Sequence, residues 1–253
     1  MKNKIQDGFS RAAVNYDRHT ELHRRIADEL LASLTELSVP STVLDVGCGT
    51  GYLAVRIKES FPESHVAGVD FARGMIDVAA AKRKDIDWII ADGDDLPFAA
   101  GSFNLVVSNL AYQWVGHLIR VFNEARRVLV DDGDLACTIF GYNTCRELFY
   151  SLEKATQGAL KFSRLPDEAQ VREALDLSGY KSFKVDSREL KVEFKEMQEL
   201  TGWLRTIGAN NLAREGFLGP QALAEASRIY GLEYPYLNGV AATFEVIRVY
   251  AKK

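Results

Sequence analysis

Three cysteines in 253 residues, no CxxC pair and no surplus of positive charge set the first limits on this chain. Cys48, Cys137 and Cys145 are odd in number and lie in or beside apolar segments, which suits reduced thiols in a cytoplasmic setting and argues against a disulfide framework. An uninterrupted apolar run of about 18 residues, enough to span a bilayer, is also missing. The opening Met1 to Asp7 is polar and charged, without the apolar stretch of a secretory signal. Lys and Arg total 31 against 35 Asp and Glu, a net charge of -4. No global field therefore draws the chain to nucleic acid or an anionic membrane, and an acidic partner must meet a local patch. His19 and His23 stand one helical turn apart, but with no ligand-spaced partner and no HExxH motif they are not read as a metal site.

What is present is a 47% hydrophobic chain able to bury one substantial core. Leu22, Ile26, Leu30, Leu34 and Leu37 recur at helical spacing and predict an amphipathic helix over Thr20 to Leu37. Short β-branched strands then alternate with helices: strands at Thr42–Val46, His65–Asp70, Trp88–Ala91, Phe103–Ser108 and Asp134–Phe140, with Asp131-Asp132-Gly133 closing the helix before the last of them. That rhythm implies βαβ units and a parallel sheet. A helix at Glu168–Leu177 precedes a strand at Ser182–Asp186, and the chain ends in a strand at Thr243–Ala251. The long connection between these last two strands, with Met197, Leu200, Leu204 and Ile207 in a helical stripe, reads as a small helical cap.

The chemistry concentrates where the first strand runs into Gly47, Gly49 and Gly51 and then a helix. Such a turn lets a ligand approach backbone amides at a helix N-terminus. A dinucleotide fingerprint would place a further glycine three residues after Gly49, where Tyr52 stands, and a P-loop would need a lysine well before Lys58. The pattern instead resembles motif I of class I S-adenosylmethionine (SAM) methyltransferases. That resemblance implies a Rossmann-like α/β fold with a mostly parallel seven-stranded sheet and helices on both faces. It further implies an N-terminal helical lid (1–40), a SAM-binding core (41–187), a helical cap inserted before the last strand (188–241) and that last strand (242–253).

By the same resemblance Asp45 orients the methionine ammonium end, Asp70 accepts from the ribose hydroxyls, and Phe71 and Met75 cover the adenine. Asp92-Gly93 reads the adenine amino group, and Asn109 lies beside the methionine moiety. Further segments are similar to the malonyl-acyl-carrier-protein O-methyltransferase family of biotin biosynthesis: Phe9-Ser10-Arg11-Ala12-Ala13 with Tyr16-Asp17, Asp92 to Phe98, Ser108 to Trp114, and Trp203 to Asn210. His23 stands where that family more often has glutamine.

This likeness implies methylation of the free carboxylate of a malonyl thioester on acyl carrier protein, or on CoA, with SAM as donor and no metal. A carboxylate is already ionised at neutral pH, so no catalytic base is required. Arg205 is expected to hold the carboxylate and Tyr16 to donate to it, with Gln113 and Trp114 lining the pocket. Arg120, Arg126 and Arg127 offer a basic face for the acidic carrier. The other readings are a SAM methyltransferase of a quinone or other small molecule, and a non-catalytic SAM-binding module.

Overall fold

Val43 on one side and Leu44 and Val46 on the other are all buried, so the first strand is covered on both faces and its nearly continuous apolar run follows from that position. The computed structural model describes residues 2–34, 39–162, 164–209, 214–215 and 218–253. Leu37 of the expected second helix and Asn210 of the cap motif lie outside the described residues.

The order is α1 (Lys2–His19), α2 (Glu21–Leu34), β1 (Thr42–Val46), α3 (Tyr52–Ser60), β2 (His65–Asp70), α4 (Arg73–Lys82), β3 (Asp87–Ile90) and β4 (Phe103–Asn109). A one-turn 3₁₀ helix (Tyr112–Trp114) leads to α5 (Leu118–Val128), β5 (Leu129–Phe140), α6 (Arg146–Ala155), β6 (Lys161–Phe162), α7 (Glu168–Leu177) and β7 (Ser182–Phe194). Then come α8 (Met197–Thr206), β8 (Arg214–Glu215), α9 (Pro220–Glu233), β9 (Pro235–Tyr236) and β10 (Gly239–Lys252).

The main sheet runs β3-β2-β1-β4-β5-β10-β7, with the two-residue β9 pairing beside β10. Neighbours from β3 to β5 are parallel, and β10 is antiparallel to both β5 and β7. Helices α5 and α7 cover one face through Val121, Phe122, Val171 and Leu175. The other face is covered by α2 and α3 through Leu30, Leu34, Leu53 and Ile57. A third cluster joins α6, α8 and α9 to β10 around Phe149, Leu200, Tyr230 and Phe244.

Three elements are longer than their sequence pattern indicates. Instead of breaking at Asp131-Asp132-Gly133, the chain enters β5 at once, with Asp132 left-handed at φ 61° and the β4–β5 register shifting between Phe103 and Leu105. That irregularity absorbs the turn residues inside the strand. Strand β7 continues to Phe194 because it is the sheet edge, where charged residues such as Arg188, Lys191 and Glu193 are tolerated on a half-exposed ladder. Its partner β10 begins correspondingly earlier, at Gly239.

Helix α1 crosses α4 at a point where only glycine fits. A Cβ on Gly74 would lie 2.4 Å from the Ser10 carbonyl oxygen, and one on Gly208, after α8, would lie 3.0 Å from Gly8. The N-terminal helix is thus pressed between the core and the segment that follows α8. Gly74→Ala is expected to lift α1: its amides should exchange about tenfold faster with deuterium while β1, β4 and β5 keep their protection. Unchanged exchange in α1 would show that the crossing accommodates a methyl group.

Candidate functional site

The strand order reverses between β1 and β4, and in open α/β sheets the carboxyl ends at such a reversal face a crevice. A cavity opens there. It is lined by Gly47 and Gly49 after β1, Asp70 and Phe71 after β2, Asp92 and Gly93 after β3, and Asn109 at the end of β4. Met75 of α4, Tyr16 of α1, Gln113 and Trp114 also line it. Sequence reasoning thus brings most of its candidates to one place. Asp45, Gly51 and Arg205 are not among the lining residues.

The glycine loop has a specific backbone need. Gly47, Gly49 and Gly51 take φ of 73°, 55° and 85°, a left-handed conformation in which a side chain is strained. Gly47 is also crowded: a Cβ there would lie 2.2 Å from Ala111 Cβ, so the loops after β1 and β4 touch. Gly51 serves packing instead, with the Trp88 ring 2.6 Å from where its Cβ would be. Asp70 fastens the loop. Its Oδ2 accepts the Gly49 amide at 2.9 Å and its Oδ1 the Ala72 amide at 2.8 Å. Burial pushes Asp70 up to about 6, with the two amides pulling the other way. Each oxygen keeps a lone pair that can accept a further hydroxyl.

Asp45 lies one layer behind the wall, 1% exposed. Neither oxygen has a partner in hydrogen-bonding geometry. Burial pushes the carboxyl up to about 7, the Ala54 amide opposes this, and the Asp70 charge adds to it. An unsatisfied buried carboxylate beneath a glycine loop is suited to a cationic group above it, reached directly or through water. Cys48, in the same loop, is pushed well above the usual thiol range by burial and by Asp45 and Asp70, so it is no nucleophile.

Asn109 has both ends occupied: Nδ2 donates to the His23 carbonyl at 3.1 Å and Oδ1 accepts from Thr138 Oγ1 at 2.8 Å. It therefore pins α2 to the ends of β4 and β5. Tyr16 is raised far above the phenol range by burial, then by Asp70 and Asp17, and remains an O–H donor. His23, also on the wall, is lowered to about 4 by burial and stays neutral at physiological pH. Rings of Tyr16, Phe140 and Trp203 surround it at 5.7–6.1 Å between centroids.

The contacts of several residues that the sequence singled out only as parts of family-like segments, and of some it did not single out at all, complete the site. Asp17 accepts from Thr50 Oγ1 at 2.5 Å and pairs with Lys82, whose Nζ also reaches the Thr50 carbonyl at 2.9 Å. This latches α1 to the glycine loop. Trp203 Nε1 donates to the His19 carbonyl at 2.8 Å, tying α8 to the end of α1. Phe140, Phe149 and Phe244 form the far wall; in sequence they are indistinguishable from core residues.

Arg205 is exposed on α8, next to the Leu204 and Ile207 side chains that do reach the cavity. A step of one residue turns a helix by about 100 degrees, which carries Arg205 off the lining face. Among the described residues no Lys or Arg lines the cavity. The basic face on α5 is also reduced. Arg127 spends its fork on Glu124, on the Phe98 carbonyl at 2.7 Å and on the Leu96 carbonyl at 2.9 Å. Arg126 Nε donates to the Gly179 carbonyl at 2.9 Å, and Arg120 is exposed. Two of the three arginines thus hold the fold together. No group of three or more potential metal ligands occurs among the described residues. Nor is any described helix long and apolar enough to cross a membrane.

A family model for a methyltransferase domain matches residues 43–133, from β1 into β5. The chain is 32% identical to the malonyl-[acyl-carrier protein] O-methyltransferase of Geobacter sulfurreducens, over 97% of this chain and 97% of that protein. It is 34% identical to the protein of the same name from Hahella chejuensis, over 99% of this chain and 91% of the other. A solved putative methyltransferase from Bacillus halodurans shares the fold with a TM-score of 0.64 at 17% identity, over 90% of this chain and 98% of that one.

The raised Asp45 has a consequence for stability. Its folded-state value lies above the unfolded one, so the penalty is absent below about pH 4, grows as pH rises and is complete above about pH 7. Asp45→Asn is expected to stabilise the ligand-free protein at pH 7 by about 1–3 kcal/mol, and by much less at pH 4.5, in denaturant titrations. A gain independent of pH would show that Asp45 is ionised at little cost.

Proposed function

The chain belongs to the malonyl-[acyl-carrier protein] O-methyltransferases, and on that premise we propose that the cavity binds SAM and methylates the free carboxylate of a malonyl thioester carried by acyl carrier protein. The observation that carries the reading is the convergence of four strand ends on one cavity, over a glycine loop with an unsatisfied carboxylate beneath it. In this reading Asp70 and Asp92-Gly93 hold the nucleoside, with Phe71 and Met75 against the base. The Gly47–Gly51 loop and Asp45 face the amino-acid end. SAM supplies an electrophilic methyl group on a sulfonium.

The protein's own contribution is placement. The substrate carboxylate arrives ionised, so what the site provides is alignment of one oxygen for in-line displacement and removal of water. Phe9, Trp114, Phe140, Trp203 and Phe244 supply an apolar wall, to which α1, latched by Asp17, contributes Phe9 and Tyr16. Tyr16, held neutral, donates one hydrogen bond to the reacting carboxylate. With no described cation on the wall, the cofactor's own positive charge is the carboxylate's counter-charge. The same lack of a described cation is the observation favouring a second reading, a SAM methyltransferase of an uncharged quinone-like acceptor.

Methyl transfer from labelled SAM to malonyl carrier protein, malonyl-CoA, free malonate and a demethylated quinone separates the two by kcat/KM. The malonyl thioesters are expected to lead; transfer to the quinone alone would reverse the assignment. In the same assay Tyr16→Phe should lower kcat/KM for the preferred thioester about tenfold, the worth of one hydrogen bond to a charged group, with SAM affinity retained. An unchanged value would remove Tyr16 from the reaction.

A further inference from the structure

A second, open groove of about 510 Å³ lies beside the cavity, between the segment ahead of α5 and the stretch leading into α7. The two spaces share Tyr112, Gln113, Val115 and Leu165, so they meet at these side chains. If the proposed function holds, the substrate is a small acyl group on a protein far too large for the cavity. The acyl group must be threaded in on a slender arm, and the arm needs a path from the surface.

Gln113 stands at the junction with half of its amide unused. Nε2 donates to the Leu110 carbonyl at 2.7 Å, which fixes the orientation of the amide, while Oε1 is buried without a partner. A buried acceptor left in this way costs stability unless a ligand supplies an N–H. The malonyl group has none. The pantetheine arm common to carrier protein and CoA has two amides separated by methylenes. The rest of the groove matches that alternation, with Leu118 and Ile119 on one wall and Gln170 on the other. Arg164 at its side is held by Glu153 at 3.0 Å and lies 4.6 Å over the ring of Phe149, itself part of the cavity wall. The groove wall is therefore braced against the cavity.

We propose that this groove is the binding track for a pantetheine thioester arm, with Gln113 Oε1 accepting an amide N–H at the point where the arm enters the cavity.

Gly116 provides the test. It lines the groove but not the cavity, and a Cβ added there meets nothing within 4 Å, so a bulky side chain can be placed at the groove's edge without backbone strain. KM is measured for malonyl carrier protein, malonyl-CoA and the amide-free malonyl S-ethyl thioester. Gly116→Trp is expected to raise KM at least tenfold for both arm-bearing substrates and to leave the S-ethyl thioester within twofold. Gln113→Leu, at a residue that also lines the cavity, should raise KM for both arm-bearing substrates at least tenfold more than for the S-ethyl thioester. Equal effects on all three thioesters, or none, would overturn the proposal. So would a fall in SAM affinity in Gln113→Leu, which would assign the amide to the cofactor. A loss confined to carrier protein would place the carrier's body on the rim and not its arm in the groove. If the unaltered protein methylates no malonyl thioester, the functional reading fails together with the groove. Turnover by the unaltered protein with an indifferent Gly116→Trp removes the groove alone.

Discussion

The carboxylate of Asp70 is the fastening on which the site depends. One oxygen holds the amide of Gly49 and the other that of Ala72, so a single side chain sets the loop after β1 against the turn after β2. The loop's own backbone adds to this, with the Gly47 and Cys48 amides donating to the Val69 carbonyl at 2.8 and 2.9 Å and the Gly51 amide to the Cys48 carbonyl at 2.9 Å. Its three glycines sit in the left-handed region, where a flexible residue loses the most conformational freedom on folding. Two hydrogen bonds to a largely buried anion offset part of that loss and leave lone pairs turned to the cavity.

From this fixed loop the closure of the site follows by contact. Thr50, next to Gly49, meets Asp17 and Lys82 and thereby holds the end of α1. Trp203 of α8 holds the turn after α1 through the His19 carbonyl, and Asn109 holds α2 through the His23 carbonyl. Each tie joins segments distant in sequence. These polar ties add to apolar packing of the same helices, α1 through Ile5, Phe9 and Ala13, α2 through Leu30 and Leu34, and α8 through Met197 and Leu200.

Asp45 shows the expense of readiness. A carboxylate 1% exposed and unpartnered destabilises the ligand-free fold and becomes useful only when a positive group lies over it. Leu110, at φ 54° beside the cavity, stores strain in the same neighbourhood. Leu110 lines the cavity, and Asp45 lies in β1 directly before the glycine loop.

The alternation of strand and helix, the glycine loop, Asp70 and Asp92-Gly93 were legible in the sequence because each is a local signal: a period, a turn or a carboxylate directly after a strand. The extent of β7 was not, because an edge strand carries charges that read as loop, and the break expected at Asp131-Asp132-Gly133 became a bulge inside β5. Arg205 and Arg127 were chosen by residue type, and type does not decide direction. Helical phase turns Arg205 to solvent, and neighbouring carbonyls consume Arg127. The sequence by itself determined which strand ends line the cavity, since chain order and turn chemistry are properties of neighbours. Only the tertiary structure decided which aromatic rings form the wall, that Asp17 is a latch and that a groove meets the cavity at Gln113. Those depend on helix crossings and side-chain directions between segments far apart in the chain.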